Sequence, residues 1–252
     1  MNAESPAEFV DWTIAAASAS GLLEELPGAE PEAPYLELTQ AEAPEQSAGH
    51  LRLWRGTATG TIDRMVYLNL VAGPVNTRLL FLFGRPGNTL PHMHAQTVTF
   101  PPDGIVYNVD LLPRLDPVEH FDWFERVYSG LRRPYRRATG NAENSCAQAP
   151  ANPALAVLMS PWGIASQRTD RQEFERVEPQ LREYIEHYLE LAAAPGWEAG
   201  DPAAQADRDA QHLGLFFSDE LDPRAWTGVY RVVGDATGQQ IKATIATPLS
   251  NT

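Results

Sequence analysis

Residues 65–113 decide the fold of this chain, and they read MVYLNLVAGPVNTRLLFLFGRPGNTLPHMHAQTVTFPPDGIVYNVDLLP. Short runs rich in Val, Leu, Phe, Tyr and Thr alternate here with Gly, Pro and Asn. Such runs, separated by turn-forming residues, are typical of β-strands joined in an antiparallel meander. An earlier run, HLRLWRG at 50–56, has the same character. The stretch therefore predicts one antiparallel sheet.

Helical patterns lie on both sides of the predicted sheet. Residues 5–24 and 117–131 carry apolar side chains at helical spacing, and a longer helix is expected around 170–193. Between the last two, LAVLMSPWGIASQR (155–168) has the composition of a buried strand. A further helix or strand is expected near 224–246. One sheet with helices before and after it indicates an α+β sandwich.

We expect one domain over residues 1–252. Its N-terminal helix and a loose connection rich in Pro, Glu and Ala occupy 1–49, the region 50–168 is mostly sheet, and 169–252 supplies the C-terminal helices. A chain of 252 residues is long enough for one domain with a substantial core.

The composition excludes several classes of function. The formal net charge is −14 and the sequence pI is about 4.8, so the surface repels nucleic acid and anionic membranes. No apolar run approaches the roughly 20 residues that cross a bilayer, and the first residues lack the basic start of a signal peptide. The single cysteine, Cys146, rules out an internal disulfide. We expect a cytoplasmic protein.

Motifs for common cofactors and nucleophiles are missing. The sequence contains no G-x-G-x-x-G after a predicted strand and no G-x-S-x-G elbow. Nicotinamide-dependent and serine-hydrolase functions therefore have no support from the residues, and we expect no organic cofactor.

The order MVYLNL, LLFLFGRP, LPHMHAQTVTFP and VYNVDLLP resembles the ferredoxin-dependent bilin reductases, to which red chlorophyll catabolite reductase is related. The later stretches LMSPWGIASQR and 208–222 resemble, in turn, that family's S-P-aromatic strand and the segment that closes over the pigment. The resemblance covers residues 50–245. It implies a three-layer α/β/α sandwich that holds an open-chain tetrapyrrole between the sheet and the C-terminal helices. It also implies chemistry without flavin or metal, with ferredoxin as the electron donor.

The acids that the resemblance implies are replaced in this sequence. Proton donors of the family are a glutamate, a histidine and an aspartate on successive strands, and these positions align with Asn69, Phe81 and Gln96. None of these side chains delivers a proton at ordinary pH. A shift of two residues in the alignment places His94 at the aspartate position. A further aspartate of the family is matched by Asp222, which the sequence equally predicts to cap a helix beginning at Pro223.

His92, His94 and Gln96 lie at alternate positions of one predicted strand, so their side chains point to one face of the sheet. If that face is the ligand face, the histidines are candidates for acid–base work, because the unperturbed pKa of histidine lies near neutrality. The pair can also chelate copper or another transition metal, with His212 or Asp222 as the third ligand. The alternative is that Pro91 marks the strand start and both rings lie in solvent at the rim.

The complete set of candidate residues follows from these arguments. The catalytic candidates are His92, His94 and Asp222, and the metal candidates are His92 and His94. The substrate-binding candidates are Tyr67, Asn69, Phe81, Gln96, Tyr107, His212 and Phe216.

The sequence leaves three functions open. The first is a diverged oxidoreductase that uses the pocket histidines on a planar, conjugated N-heteroaromatic substrate, free or carrier-linked. A hydroxylated indole is one example, with dioxygen as electron acceptor. The second is a ferredoxin-dependent bilin reductase with rearranged proton donors, such as His94 and Asp222. The third is a non-catalytic protein that binds a pigment or another aromatic ligand.

A basic cluster in LRRPYRR bears on the second function. Arg132, Arg133, Arg136 and Arg137 stand out in an acidic chain. They are either a solvated helix end or a docking patch for an acidic redox partner.

Overall fold

The computed structural model describes residues 6–30, 32–140 and 154–249. Cys146 and most of the loop expected at 138–153 lie outside these ranges.

Eight described strands form one sheet in the order β1-β3-β4-β5-β6-β7-β8, and β2 pairs with the same edge of β3 as β1 does. Every pairing is antiparallel. The strands are β1 (Leu23–Leu26), β2 (Leu36–Thr39), β3 (Ser47–Gly56), β4 (Ile62–Ala72), β5 (Val75–Gly84), β6 (His92–Phe100), β7 (Gly104–Leu112) and β8 (Ile164–Thr169). The predicted meander is β3 to β7.

Helices cover both faces of the sheet. They are α1 (Pro6–Ala19), α2 (Phe121–Tyr128), α3 (Arg132–Thr139), α4 (Arg171–Ala193), α5 (Pro202–Phe216), α6 (Pro223–Val233) and α7 (Asp235–Ala246). Helices α1 to α4 pack on one face and α5 to α7 on the other. This arrangement is the predicted three-layer α+β sandwich.

Local sequence explains where the helices near the site begin. Asp201 and Asp222 each accept hydrogen bonds from backbone N–H groups of the first turn of α5 and α6, and a proline occupies the first position of each helix. Asp170 caps α4 in the same way. These side chains satisfy donors that have no partner inside a helix. Between α6 and α7, Gly234 has a φ of 81°, which favours glycine.

Both faces of the central strands are buried. On the face toward α1 and α4, Met65, Leu80 and Met93 pack in one core. On the face toward α5 to α7, Val66, Leu68 and Phe81 pack in a second core. Strands buried on both faces show little polar alternation, so the sequence of β4 does not indicate which face a ligand would meet.

Two sequence expectations are corrected by the structure, and one open alternative is decided by it. The connection thought loose at 26–49 contains β2, because the alternating LELT segment pairs along β3. The strand expected at 155–168 is confined to β8, because residues 160–163 instead form a turn above β7. The segment near 224–246 is helical throughout α6 and α7.

Among the residues that the structure describes, no helix has both the length and the apolar character needed to cross a membrane.

Candidate functional site

A cavity of about 390 Å³ lies between the sheet and helices α5 and α6. Its floor is the part of β4, β5 and β6 nearest the β4–β5 hairpin. Its wall is mainly apolar and includes Leu68, Leu79, Phe81, Phe216, Phe217 and Trp226. Polar atoms reach it from Thr77, His94 and Gln96. Mainly apolar walls with a few polar groups are typical of small-molecule sites of about 300–1,000 Å³.

His94 is the titratable side chain of the cavity floor. Its ring stacks on Phe81, with centroids 4.5 Å apart and planes 8° from parallel, and Phe216 approaches edge-on at 6.1 Å. Neither ring nitrogen has a hydrogen-bond partner among the described residues. Burial lowers the pKa of His94 to about 3. At neutral pH the ring is therefore uncharged and offers a ligand one donor and one acceptor.

His92 is held by the backbone instead of facing the cavity. Its Nδ1 accepts a hydrogen bond from Gly84 N–H at 3.1 Å, which places its proton on Nε2. Burial, followed by the charge of Arg114, lowers the pKa of His92 well below its ordinary value. The expectation that His92 and His94 share one face holds, but only His94 contributes to the cavity wall.

His212 lies on α5, one turn before Phe216, with ring centroids 6.4 Å apart. Burial, followed by the charge of Arg208, lowers its pKa. Phe216 and Phe81 are part of the cavity wall as expected, whereas His212 lies beside the wall.

Tyr67, Asn69 and Tyr107 do not reach the cavity. Tyr67 and Tyr107 are buried in the core beneath α1 and α4, and Asn69 is two residues from Tyr67 on the same strand, hence on the same face. Because the cavity lies on the other face, these three residues are not brought together with His94 and Gln96.

Asp222 caps α6, with its side chain accepting a hydrogen bond from Ala225 N–H at 3.1 Å, and it also lies at the cavity mouth. Arg224, an exposed residue of the same mouth, forms no ion pair with any described residue. The cap predicted for Asp222 is therefore present, and the geometry places a free cation beside it.

The metal site expected from the sequence is not assembled. Within residues 6–30, 32–140 and 154–249, no group of three or more His, Cys, Asp or Glu side chains is placed to hold a metal ion. His92 Nδ1 is engaged by the backbone, His94 stacks on Phe81, and Asp222 is occupied as a cap. The described residues therefore supply no set of three ligands for copper or another transition metal.

Asp110 is the residue that sequence reasoning missed. It lies on β7 directly opposite His94 in the pairing with β6, so the two side chains are on the same face, with Cβ atoms about 5 Å apart by the usual geometry of such pairs. It is fully buried, and burial raises the pKa of its carboxyl to about 7 against the opposing effect of hydrogen bonds from Ser160. The signal in the sequence was a single acid within the apolar run VYNVDLL.

The basic cluster on α3 is partly neutralised. Arg132 pairs with Glu125 and Arg137 with Glu183. Arg133 and Arg136 are exposed and form no ion pair with a described residue. Two unpaired arginines attract an acidic partner less strongly than the four that the sequence suggested.

Comparison with known proteins supports the fold. No protein-family model and no curated protein matches the sequence. Among solved structures, the chain is similar to phytochromobilin synthase from tomato, crystallised in complex with biliverdin. The two share 16% sequence identity with a TM-score of 0.72, over 94% of this chain and 81% of that one. The fold implied by the resemblance is thus confirmed, and this chain has the α/β/α sandwich fold of phytochromobilin synthase.

Proposed function

We propose that this protein binds an open-chain tetrapyrrole in the cavity between its sheet and helices α5 and α6, and reduces it with electrons from an external one-electron donor. The observation that carries the proposal is the neutral, unpartnered ring of His94 in an apolar cavity, in a fold shared with a protein that binds biliverdin.

The cavity wall suits a flat, conjugated ligand. Phe81, Phe216, Phe217 and Trp226 provide aromatic surface on both sides of the space, and aromatic rings stack favourably on such a ligand. His94, Gln96 and Thr77 can hydrogen-bond the N–H and C=O groups of pyrrole and lactam rings. Arg224 at the mouth suits the carboxylate side chains of a bilin.

Two titratable groups bear on the proton supply, His94 on the cavity floor and Asp110 opposite it on β7. Reducing one double bond takes two electrons and two protons. A one-electron carrier such as a ferredoxin supplies the electrons one at a time, and the acid of the site gives one proton at each step and regains its own from solvent between the two. His94, with a pKa of about 3, is a neutral imidazole at neutral pH, so it lacks the acidic imidazolium proton and serves as a hydrogen-bonding contact. Asp110, with a pKa of about 7, keeps a large protonated fraction near neutrality. General acids work best when their pKa lies near the working pH, so Asp110 is the proposed proton donor and His94 the group that orients the ligand beside it.

The electron donor is proposed to dock at the basic cluster on α3. Arg133 and Arg136 are its free cations, and their positive charge suits an acidic carrier protein. The rest of the surface is acidic, so docking should weaken steeply as salt screens these contacts.

The experiment starts with binding and then adds electrons. Biliverdin is titrated into the protein and the visible spectrum recorded, after which a ferredoxin reducing system is added without oxygen. We expect a bound-pigment band followed by conversion to a new spectrum. His94→Ala and Asp110→Asn should lose conversion by at least about tenfold, whereas His187→Ala should retain it. His187 is a suitable control because it lies on α4, where its Nε2 hydrogen-bonds Val127 O on the other side of the sheet.

Each alternative has its own outcome in the same experiment. Tight pigment binding without conversion, in wild type and His94→Ala alike, supports a non-catalytic binding protein. Absence of any bound-pigment band rejects the tetrapyrrole. The hydroxylated indole substrate and the use of dioxygen stay predictions, tested by oxygen consumption with an indole substrate in air.

A further inference from the structure

Asp110 is enclosed by a turn that comes from a different part of the chain. Ser160 N–H donates a hydrogen bond to Asp110 Oδ2 at 2.8 Å, and the Ser160 hydroxyl donates to Oδ1. Both carboxyl oxygens are therefore held by one residue, 50 positions away in sequence. The carboxyl is fixed in plane and direction while it lies opposite His94.

Hydrogen bonds and close packing hold the turn in place. Ser160 Oγ accepts a hydrogen bond from Trp162 N–H at 3.1 Å, and Trp162 O accepts one from the Tyr184 hydroxyl of α4 at 2.6 Å. A Cβ at Gly163 would come within 3.2 Å of Asp110 Cγ, so a larger residue at this position would crowd the carboxyl. Ser160, Trp162 and Gly163 thus form a hydrogen-bonded turn that covers Asp110.

The other titratable groups that face Asp110 are Tyr128 from α2, Tyr184 from α4 and His94 from β6. Burial raises the pKa of both tyrosines, while burial lowers that of His94 to about 3. All three are therefore uncharged at neutral pH. Of these four side chains, Asp110 is the one whose charge changes near neutral pH.

We propose that Ser160 is a positioning residue for Asp110, and that its two hydrogen bonds set the direction of the carboxyl and how readily it gives up its proton. The chemical use of that proton rests on the function proposed above. A hydrogen bond donated to a carboxylate favours the ionised form, so the Ser160 hydroxyl makes Asp110 a stronger acid than burial alone would allow. Without it, Asp110 would hold its proton too tightly at neutral pH.

The test compares Ser160→Ala with Ser160→Thr, which keeps the hydroxyl, and with Ser166→Ala, which removes a nearby serine hydroxyl on β8 that contacts no hydrogen-bonding partner in the described chain. Carbon-13 NMR of aspartate-labelled protein follows the carboxyl resonance that Asp110→Asn removes, from pH 5 to pH 9. A hydrogen bond to a charged group is equivalent to about one pKa unit or more, so Ser160→Ala should raise the Asp110 midpoint by about one unit. Ser160→Thr and Ser166→Ala should leave it near the wild-type position. If Ser160→Ala does not fold, Ser160→Cys replaces it, because a thiol is a weak donor.

Turnover supplies the second readout. The alkaline limb of the rate against pH should move upward with the NMR midpoint in Ser160→Ala. An unchanged midpoint overturns the inference, and so does a midpoint that moves while the limb stays in place. If the midpoint moves but wild-type protein converts no pigment at any pH, the hydrogen bonds tune Asp110 as inferred and the proposed reduction is rejected.

Discussion

Replacing Asp110 by Asn should change how the stability of this protein depends on pH. The carboxyl lies fully buried opposite His94, and burial raises its pKa from 3.8 to about 7. Asparagine has nearly the same shape and keeps one acceptor for Ser160, but it does not ionise. The comparison therefore isolates the charge of Asp110.

The sign and size of this pH dependence follow from the pKa values of Asp110 in the folded and unfolded states. A carboxyl whose pKa is raised in the folded state stabilises fully below its unfolded pKa of 3.8. That stabilisation is then lost as the pH rises through about 7. Each pH unit within this window is about 1.4 kcal/mol, so wild type should lose about 3 kcal/mol from this group between pH 5 and pH 8. Asp110→Asn should not lose it. His94, whose folded pKa is lowered, acts in the opposite direction below pH 6.5, but equally in both proteins.

Urea unfolding followed by tryptophan fluorescence measures the effect. The free energy of unfolding of the variant minus that of wild type should increase by about 3 kcal/mol from pH 5 to pH 8. Any constant offset from the altered hydrogen bond to Ser160 cancels in this difference. If the free energies of unfolding of the two proteins run parallel from pH 5 to pH 8, the Asp110 carboxyl is not neutral in the folded state. That result would also refute its role as a proton donor.

Three further predictions concern a wall residue of the cavity, two ion pairs and the cap of α6. Phe216→Ala should lower the free energy of unfolding by about 3–4 kcal/mol, because it leaves a hole in a buried aromatic cluster. It should also raise the pKa of His94 by admitting water, and an unchanged NMR titration of that ring would contradict the burial argument. Arg114→Ala should lower the free energy of unfolding by about 3–5 kcal/mol, because it leaves buried Asp209 unpaired. Arg132→Ala breaks an exposed pair and should lower it by less than about 1 kcal/mol, so equal shifts in melting temperature would refute the distinction. Asp222→Ala should lose about 1 kcal/mol of stability with the α6 cap, while Asp222→Asn keeps the cap; loss of pigment conversion in the stable Asp222→Asn protein would show a chemical role beyond capping.

The sequence by itself was sufficient for most of the elements, although not for β2 or the extent of β8, and for the shared orientation of His92, His94 and Gln96. Strand runs, turn residues and the Asp-Pro starts of α5 and α6 are local signals, since they depend on neighbours a few positions away. The period of two along a strand is equally local, so the placement of His94 and Gln96 on one face followed directly. The order of the segments was also enough to indicate the sandwich fold.

Only the tertiary structure decided which residues meet. Both faces of β4 are apolar, so nothing in its pattern showed that Asn69 and Tyr67 turn away from the cavity while Leu68 forms its floor. Asp110 comes opposite His94 because of the register between β6 and β7, and Ser160 reaches it from a turn 50 residues later. Register and helix docking are set by packing between distant segments. Burial, which governs the pKa values of His94 and Asp110, arises only from that packing.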